Sequence, residues 1–306
     1  MNREESTTNE KLSELGLKVE YPTPNQIMFR SMLGHKGFLV GATVLIIVVL
    51  MAVLAPVLAP HDPYEQNLSM RMIPTFWQEN GSWEYPLGTD NMGRDYLSRI
   101  IYGSRVSLLI GFLVMIIAAS IGTTLGLLAG YFGGRVDMVV SFLITVRLAL
   151  PAVLVAVAVV ALIGGSTKVV IMVLGFLIWD RFAVVIRAST QQIRPMEYVA
   201  AAKAAGCSTR RILIAEVMPN LMNNLIVVMT LEVARAILLE AALSFLGMGV
   251  QPPTPSWGLM ISEAKEFMLF EPHLITIPGI ALFVLLLGMN LLGDGIRDVT
   301  APEGRS

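Results

Sequence analysis

Ionisable side chains interrupt stretches of this sequence that are otherwise apolar: Arg147, Asp180, Arg181, Glu232, Arg235 and Glu240. A charge at the centre of a hydrocarbon layer costs on the order of 2.5–3.5 kcal/mol on insertion scales, so each of these groups needs a partner or water. Glu232 and Arg235 stand at i,i+3 and can pair on one helical face, with Glu240 following on roughly the same face. Asp180 and Arg181 fall near the end of an apolar run, where a long side chain can snorkel to water. Such a stripe fits two roles, lining a polar route for a zwitterionic solute or holding membrane subunits together. Catalysis is not among them. The chain has no Gly-x-x-x-x-Gly-Lys-Ser/Thr phosphate loop, so any ATP chemistry must come from elsewhere. His35, His61 and His273 lie far apart with no metal-ligand spacing, and a single cysteine, Cys207, excludes an internal disulfide and a Cys-based metal site.

The elements that position these groups must be membrane spans. Of 306 residues, 55% are hydrophobic and 15% charged, and the mean hydropathy is +0.67; soluble domains are about a quarter charged. A net charge of −1 argues against a nucleic-acid partner. A hydrocarbon core about 30 Å thick takes roughly 20 apolar residues of helix. Six runs qualify: Phe38–Ala59, Val106–Phe132, Leu148–Thr167 (extended backward by Met138–Val146 past Arg147), Val169–Ile186, Leu221–Leu246 and Pro272–Gly293. No signal peptide precedes the first, which reads as a retained anchor. Gly122, Gly126 and Gly130 repeat at the small-residue spacing that lets helices pack closely.

Six spans put both termini on one side. Lys and Arg favour the cytoplasm, and most gather on that shared side: Arg3, Lys11, Lys18, Arg30 and Lys36 in the N-terminal tail, Arg135, then Arg181, Arg187, Arg194, Lys203, Arg210 and Arg211, and finally Arg297 and Arg305. Fewer fall opposite: Arg71, Arg94, Arg99, Arg105, Lys168 and Lys265. The bias gives an N-in, C-in orientation. It places His61–Arg105, rich in Pro, Trp and Tyr, outside as an ordered interfacial loop, along with the proline-dense Gln251–Trp257.

The longest polar stretch between spans on the inner side is Glu197–Asn220. Pro195 disfavours helix in Arg194 before it. Met196–Ala205 is full of alanine, Gly206 breaks it, Ser208 or Thr209 caps a second helix over Arg210–Val217, and Pro219 closes that helix. The result is a compact helical knob whose small residues let a partner approach the backbone. Tyr198 would supply a buried aromatic anchor.

This knob resembles the cytoplasmic coupling loop of ABC-importer permeases, in which Glu-Ala-Ala is followed after three residues by Gly and after nine more by Ile-x-Leu-Pro. Ala201, Ala202, Gly206 and Pro219 stand at matching positions, whereas Ala200 replaces the glutamate and Glu216 and Met218 replace Ile and Leu. Three further stretches are similar to the peptide/nickel branch of that family: Pro86–Arg99 (PLGTDNMGRDYLSR), Leu243–Gly258 (LSFLGMGVQPPTPSWG) and Asn290–Asp298 (NLLGDGIRD). The long external loop resembles the dipeptide/oligopeptide "C" type of permease. Thr145 and Arg147 precede Leu148–Pro151, where the resemblance leads one to expect an acidic residue.

The resemblance implies an all-α integral membrane protein with six transmembrane helices in the type I ABC-importer permease fold, multi-pass in the cell inner membrane. It divides the chain into a cytoplasmic tail (1–37), a first helix with its external loop (38–105), a five-helix permease core with a coupling loop at 190–220 (106–298) and a C-terminal tail (299–306). The expected partners are a second homologous permease, two ATP-binding subunits, an extracytoplasmic substrate-binding protein, a peptide substrate and the lipid bilayer. No cofactor is expected on this chain, and ATP and Mg belong to the ATP-binding subunits. The coupling residues it implies are Tyr198, Ala201, Ala202, Gly206, Arg210, Arg211, Pro219 and Asn220. Arg147, Glu232, Arg235 and Glu240 remain for the pathway or for packing between permeases. Import of nickel or another small solute by the same architecture is the alternative. An ion-coupled secondary transporter would need acidic residues in mid-span and no knob, and an assembly subunit without transport would need no coupling loop.

Overall fold

A computed structural model describes residues 24–300. Most of the N-terminal tail and the last residues of the C-terminal tail, with Arg3, Lys11, Lys18 and Arg305, lie outside the described residues. The architecture is helical throughout them. In chain order the helices are α1 (Pro24–Gly34), α2 (Lys36–Val53), α3 (Ala55–Leu58), α4 (Tyr96–Phe132), α5 (Gly134–Ala149), α6 (Ala152–Ile163), α7 (Thr167–Leu177), α8 (Asp180–Ile193), α9 (Glu197–Ala204), α10 (Thr209–Arg211), α11 (Met218–Phe245), α12 (Trp257–Ala264) and α13 (His273–Thr300).

Four stretches are long and apolar enough to cross a membrane: α2, α4, the continuous run of α7 and α8 over Thr167–Ile193, and α13. The pair α5 and α6 would make a fifth if taken as one span. Helix α11 is as long as α13, at 28 residues, but carries Glu232, Arg235 and Glu240 and does not belong to that set. Side chains such as Ile46, Ile47, Val53, Phe142, Leu162 and Phe283 project outward from these helices, as a body solvated by lipid requires.

The helix ends follow local chemistry. Asp95 starts α4 by accepting a hydrogen bond from the Ser98 amide at 2.9 Å, and Ser166 and Ser256 cap α7 and α12 in the same way. Helix α4 therefore begins ahead of the Val106 expected from hydropathy, because Arg99 is buried and paired rather than left to face lipid. The third expected span, Leu148–Thr167, is not one straight helix. It breaks at Leu150–Pro151, where α5 and α6 meet at 85°. Proline lacks the amide needed to continue the helix and pushes the residue before it out of helical geometry; Leu150 is extended, with φ −102° and ψ 125°.

Glycines set how closely the helices approach. A Cβ at Gly122 would lie 2.3 Å from the Trp179 carbonyl oxygen, one at Gly126 2.7 Å from that of Ala183, and one at Gly130 2.6 Å from Thr190 Cβ. The stripe on α4 is thus the seat of α8. On the other flank, a Cβ at Gly41 of α2 would lie 2.5 Å from the Gly288 carbonyl oxygen of α13, and one at Gly295 2.7 Å from Phe38 Cβ, so this seam closes only on glycine. The third quoted motif, Asn290–Asp298, therefore lies along the α2–α13 seam. His35 closes that seam: its Nδ1 accepts from the Phe38 amide at 3.1 Å and its Nε2 donates to Asp298 at 3.2 Å.

Candidate functional site

The knob is built as a short hairpin against the bundle. Helix α9 carries Glu197 in its first turn and Lys203 in its last, the arrangement that suits the helix dipole. Val199 is fully buried, and the Lys203 ammonium sits 5.0 Å from the centroid of the Tyr131 ring at the end of α4. These hold one face of α9 to the bundle. The other face presents Tyr198, 40% exposed in this chain, with Ala200, Ala201, Ala204 and Ala205 beside it. Gly206 turns the chain with φ +75°, a conformation only glycine adopts without strain, and nothing stands within 4 Å of where its Cβ would be. Ser208 then caps α10 by accepting from the Arg211 amide at 3.4 Å. Arg210 and Arg211 are exposed and make no ion pair among the described residues.

Pro219 does not end the second helix. From α10 the chain passes through a π turn over Ile212–Val217 and runs on as α11, with Pro219 in that helix's first turn. A wider π turn just before a proline absorbs the missing amide without breaking the helix. The outer end of the knob is therefore continuous with a 28-residue helix. Ile212, Leu213 and Val217 bury this junction, and Asn220 donates its side-chain amide to the Glu216 carbonyl at 2.7 Å.

Helix α11 leads directly to the charge cluster. Glu232 is fully buried and accepts from Arg235 Nη1 at 3.2 Å. Arg181 Nε stands 3.5 Å from the other Glu232 oxygen, within ion-pair distance but without hydrogen-bond geometry. Arg147 reaches from the end of α5 to donate to the Leu177 carbonyl, at the joint of α7 and α8, and to Leu150 at 3.1 Å. Asp180, Glu232 and Arg235 are the charged groups in its neighbourhood. Asp180 is fully buried, and neither of its carboxylate oxygens has a hydrogen-bond partner. Asp180 and Arg181 open α8, and Arg181 stands level with Glu232 and Arg235 of α11.

Glu240 does not share this cluster. It is fully buried one layer away, where Oε1 accepts from Ser244 Oγ at 2.7 Å and from Ser256 Oγ at 3.0 Å. Ser256 in turn caps α12, so Glu240 ties the proline-dense segment back to α11.

The start of α4 and the segment around α12 meet in a frame that sequence reasoning did not assemble, each quoted motif contacting residues just beyond the end of the other. Arg94 donates to Asp90 at 2.6 Å and to Glu263 at 3.2 Å, and Arg99 donates to the same Glu263 oxygen at 2.7 Å. Both guanidinium groups are essentially inaccessible. Trp257, also fully buried, donates its indole N–H to the Ile100 carbonyl at 2.9 Å and its amide to Ser107 Oγ at 3.2 Å. Among the described residues no group of three His, Cys, Asp or Glu could hold a metal ion.

A helical body with four or five apolar stretches long enough to cross a membrane, and an exposed knob continuous with a long charged helix, is that of a multi-pass membrane protein. The family of binding-protein-dependent transport system inner membrane components matches residues 122–305, and the N-terminal transmembrane domain of oligopeptide transport permease C matches residues 23–74. The chain belongs to the binding-protein-dependent transport system inner membrane component family, as a multi-pass membrane permease subunit. It is 39% identical over 292 residues to the dipeptide transport system permease protein DppC of Haemophilus influenzae, covering 95% of this chain and 99% of that one. It is 39% identical to the di/tripeptide transport system permease protein DppC of Pseudomonas aeruginosa, covering 92% and 93%, and 40% identical to the dipeptide permease DppC of Escherichia coli K12, covering 92% and 94%. The fold matches that of an inward-facing MetNI methionine ABC transporter chain with a TM-score of 0.56 at 16% identity, over 67% of this chain and 98% of that one.

Proposed function

We propose that this chain is one permease half of an ATP-driven, binding-protein-dependent importer of di- and oligopeptides. Similarity to dipeptide permeases over nearly the whole length of both chains carries this reading. The chain crosses the inner membrane six times, with the α5–α6 pair as a bent third span and α11 as the fifth, and both termini face the cytoplasm. A second permease of the same fold completes the pathway. Two ATP-binding subunits supply the energy, with ATP and Mg bound there, and an extracytoplasmic binding protein delivers the peptide.

The knob is the coupling element. Tyr198 and the exposed alanine face around Ala201 seat in a groove of an ATP-binding subunit, with Arg210 and Arg211 facing its surface, while Ala202 packs on the bundle side and holds α9 in place. When ATP binding draws the motor subunits together, the knob moves inward. Its junction through Pro219 and Asn220 has its backbone hydrogen bonds closed within the helix, so α11 moves with it as one body. Helix α11 carries Glu232 and Arg235, and its tilt shifts the charge cluster relative to Arg147 and Arg181. The pathway between the two permeases thereby opens outward to receive substrate.

Reconstitution tests the proposal. The chain is co-purified with its second permease and ATP-binding subunits, and uptake into vesicles is followed with peptide-loaded binding protein. ATP-dependent accumulation of dipeptide is the expected result. Stimulation by a nickel complex and by no peptide would overturn the substrate, and failure to co-purify with any ATPase would overturn the coupling.

A further inference from the structure

The charge cluster is short of one anion. Among the described residues, the carboxylates that meet Arg147, Arg181 and Arg235 are Asp180 and Glu232. Glu232 is already hydrogen-bonded to Arg235, and Arg147 spends two donors on the backbone carbonyls of Leu177 and Leu150. Arg181 is left with a single long approach to Glu232, 3.5 Å without hydrogen-bond geometry, and its side chain is 60% exposed. The buried surroundings explain why Glu232 cannot turn further to meet it: the carboxylate is 1% exposed and fixed from the other side by Arg235. An exposed guanidinium near the middle of a 27-residue membrane-crossing run does not face lipid, since burying it there unpaired is costly. Its surface opens onto a polar passage, onto an oxyanion or onto the second permease, and the guanidinium's own chemistry favours the oxyanion.

A guanidinium presents parallel N–H donors that match a carboxylate in a two-point geometry, and such charge-assisted pairs are the strong ones in a dry environment. We infer that Arg181, backed by Arg235 through Glu232, is the mid-membrane docking point for the C-terminal carboxylate of the peptide in transit. The inference rests on the peptide-importer reading above and adds to it a residue and a substrate group. Glu232 serves here as a spacer. It neutralises Arg235 and holds Arg181 at the edge of the passage, so the site offers one net positive charge, enough to hold a carboxylate briefly and too little to trap it. The location also suits timing. Glu232 and Arg235 ride on α11, which is continuous with the knob, whereas Arg181 belongs to α8. A tilt of α11 therefore changes how far Glu232 competes with the peptide for Arg181, and closer approach of Glu232 releases the carboxylate.

The test uses the full importer, reconstituted with its binding protein, with glycyl-leucine and glycyl-leucinamide as probes. Each is supplied preloaded on saturating binding protein so that capture outside the membrane does not limit the rate. Arg181 is 60% exposed and Glu232 keeps its hydrogen bond to Arg235 without it, so Arg181→Gln is expected to assemble as the wild type does. It is expected to slow uptake of the free acid about tenfold, the loss of one charge-assisted hydrogen-bonded pair, to leave the slower amide rate where it was, and so to erase the preference between them. Arg181→Lys restores part of the preference, since it keeps the charge and loses the two-point geometry. Equal slowing of both probes, or loss of the second permease on affinity purification, overturns the inference and makes Arg181 a joint between subunits. A wild-type importer that moves neither probe while intact removes the peptide reading itself, and the docking point with it. A wild-type importer that moves both, alongside an Arg181→Gln variant that keeps its preference for the acid, removes the docking point alone.

Discussion

Arg99 and Glu263 are joined by a 2.7 Å hydrogen bond across 164 residues of sequence. The Arg99 side chain is fully buried and that of Glu263 is partly buried, 22% exposed. The bond fastens the start of α4 to the end of α12, and Arg94 uses the same carboxylate oxygen from one turn away. Removing one partner of a buried pair leaves an uncompensated charge and costs about 3–5 kcal/mol. Glu263→Ala should therefore lower the unfolding temperature of the purified subunit markedly, by thermal scanning in detergent. Glu263→Gln, which keeps an acceptor oxygen, should cost less. Equal melting of the alanine variant and the wild type would show that Asp90 alone satisfies both arginines.

The glycine stripe of α4 makes a sharper prediction. At Gly126 even a methyl group would fall 2.7 Å from the Ala183 carbonyl and 3.0 Å from the Arg187 amide, both backbone atoms that cannot rotate away. Gly126→Ala should push α8 off α4 and reduce the amount of folded protein recovered from membranes. Gly279→Ala, where nothing lies within 4 Å, serves as the control and should be recovered in full.

That stripe was legible in the sequence because close helix packing needs small residues at a fixed period, and the period is visible without coordinates. The knob was legible for a similar reason: alanine, glycine and a serine cap are local signals. What escaped was whatever depends on distant segments meeting. Arg94 and Arg99 figure in the sequence as external positive charges and as members of the Pro86–Arg99 motif, but nothing local shows that Glu263 returns to them. Glu240 was grouped with Glu232 by helical spacing, yet the two are separated by what they meet, serines in one case and arginines in the other. Pro219 was read as a stop because a proline ends most helices. The π turn before it is a backbone adjustment that residue types do not announce.

Glu240 follows the logic of buried acceptors. Its Oε1 satisfies two serine hydroxyls, one of which caps α12. Glu240→Ala strands both and should destabilise the subunit by about 1–3 kcal/mol, seen as a lower melting temperature. Glu240→Gln keeps a carbonyl oxygen for the serines and offers an amide in place of the unpartnered Oε2, so it should melt near the wild type. A transport defect in Glu240→Gln without any change in melting would instead assign Glu240 to the pathway.

Gly206 separates folding from coupling. Its positive φ strains any other residue, most of all a β-branched one, but open space surrounds its Cβ position. Gly206→Val should therefore insert and assemble while misplacing α9 relative to the π turn, and ATP-driven uptake should fall sharply at unchanged membrane levels. Full uptake by this variant would mean that the turn plays no part in transmitting motion.

The orientation of the knob can be read with the chain's own single thiol. Cys207 directly follows the Gly206 turn and is partly exposed, and no other cysteine competes for a label. A membrane-impermeant maleimide should leave Cys207 untouched in intact cells and modify it in inverted membrane vesicles, where the cytoplasmic face is outward. Adding the ATP-binding subunits to those vesicles should then slow the labelling, because α9 and the turn are covered when the knob is seated. Labelling from outside intact cells would reverse the proposed topology and remove the knob from reach of any cytoplasmic motor. Unchanged labelling after the ATP-binding subunits have bound would place their contact on another surface.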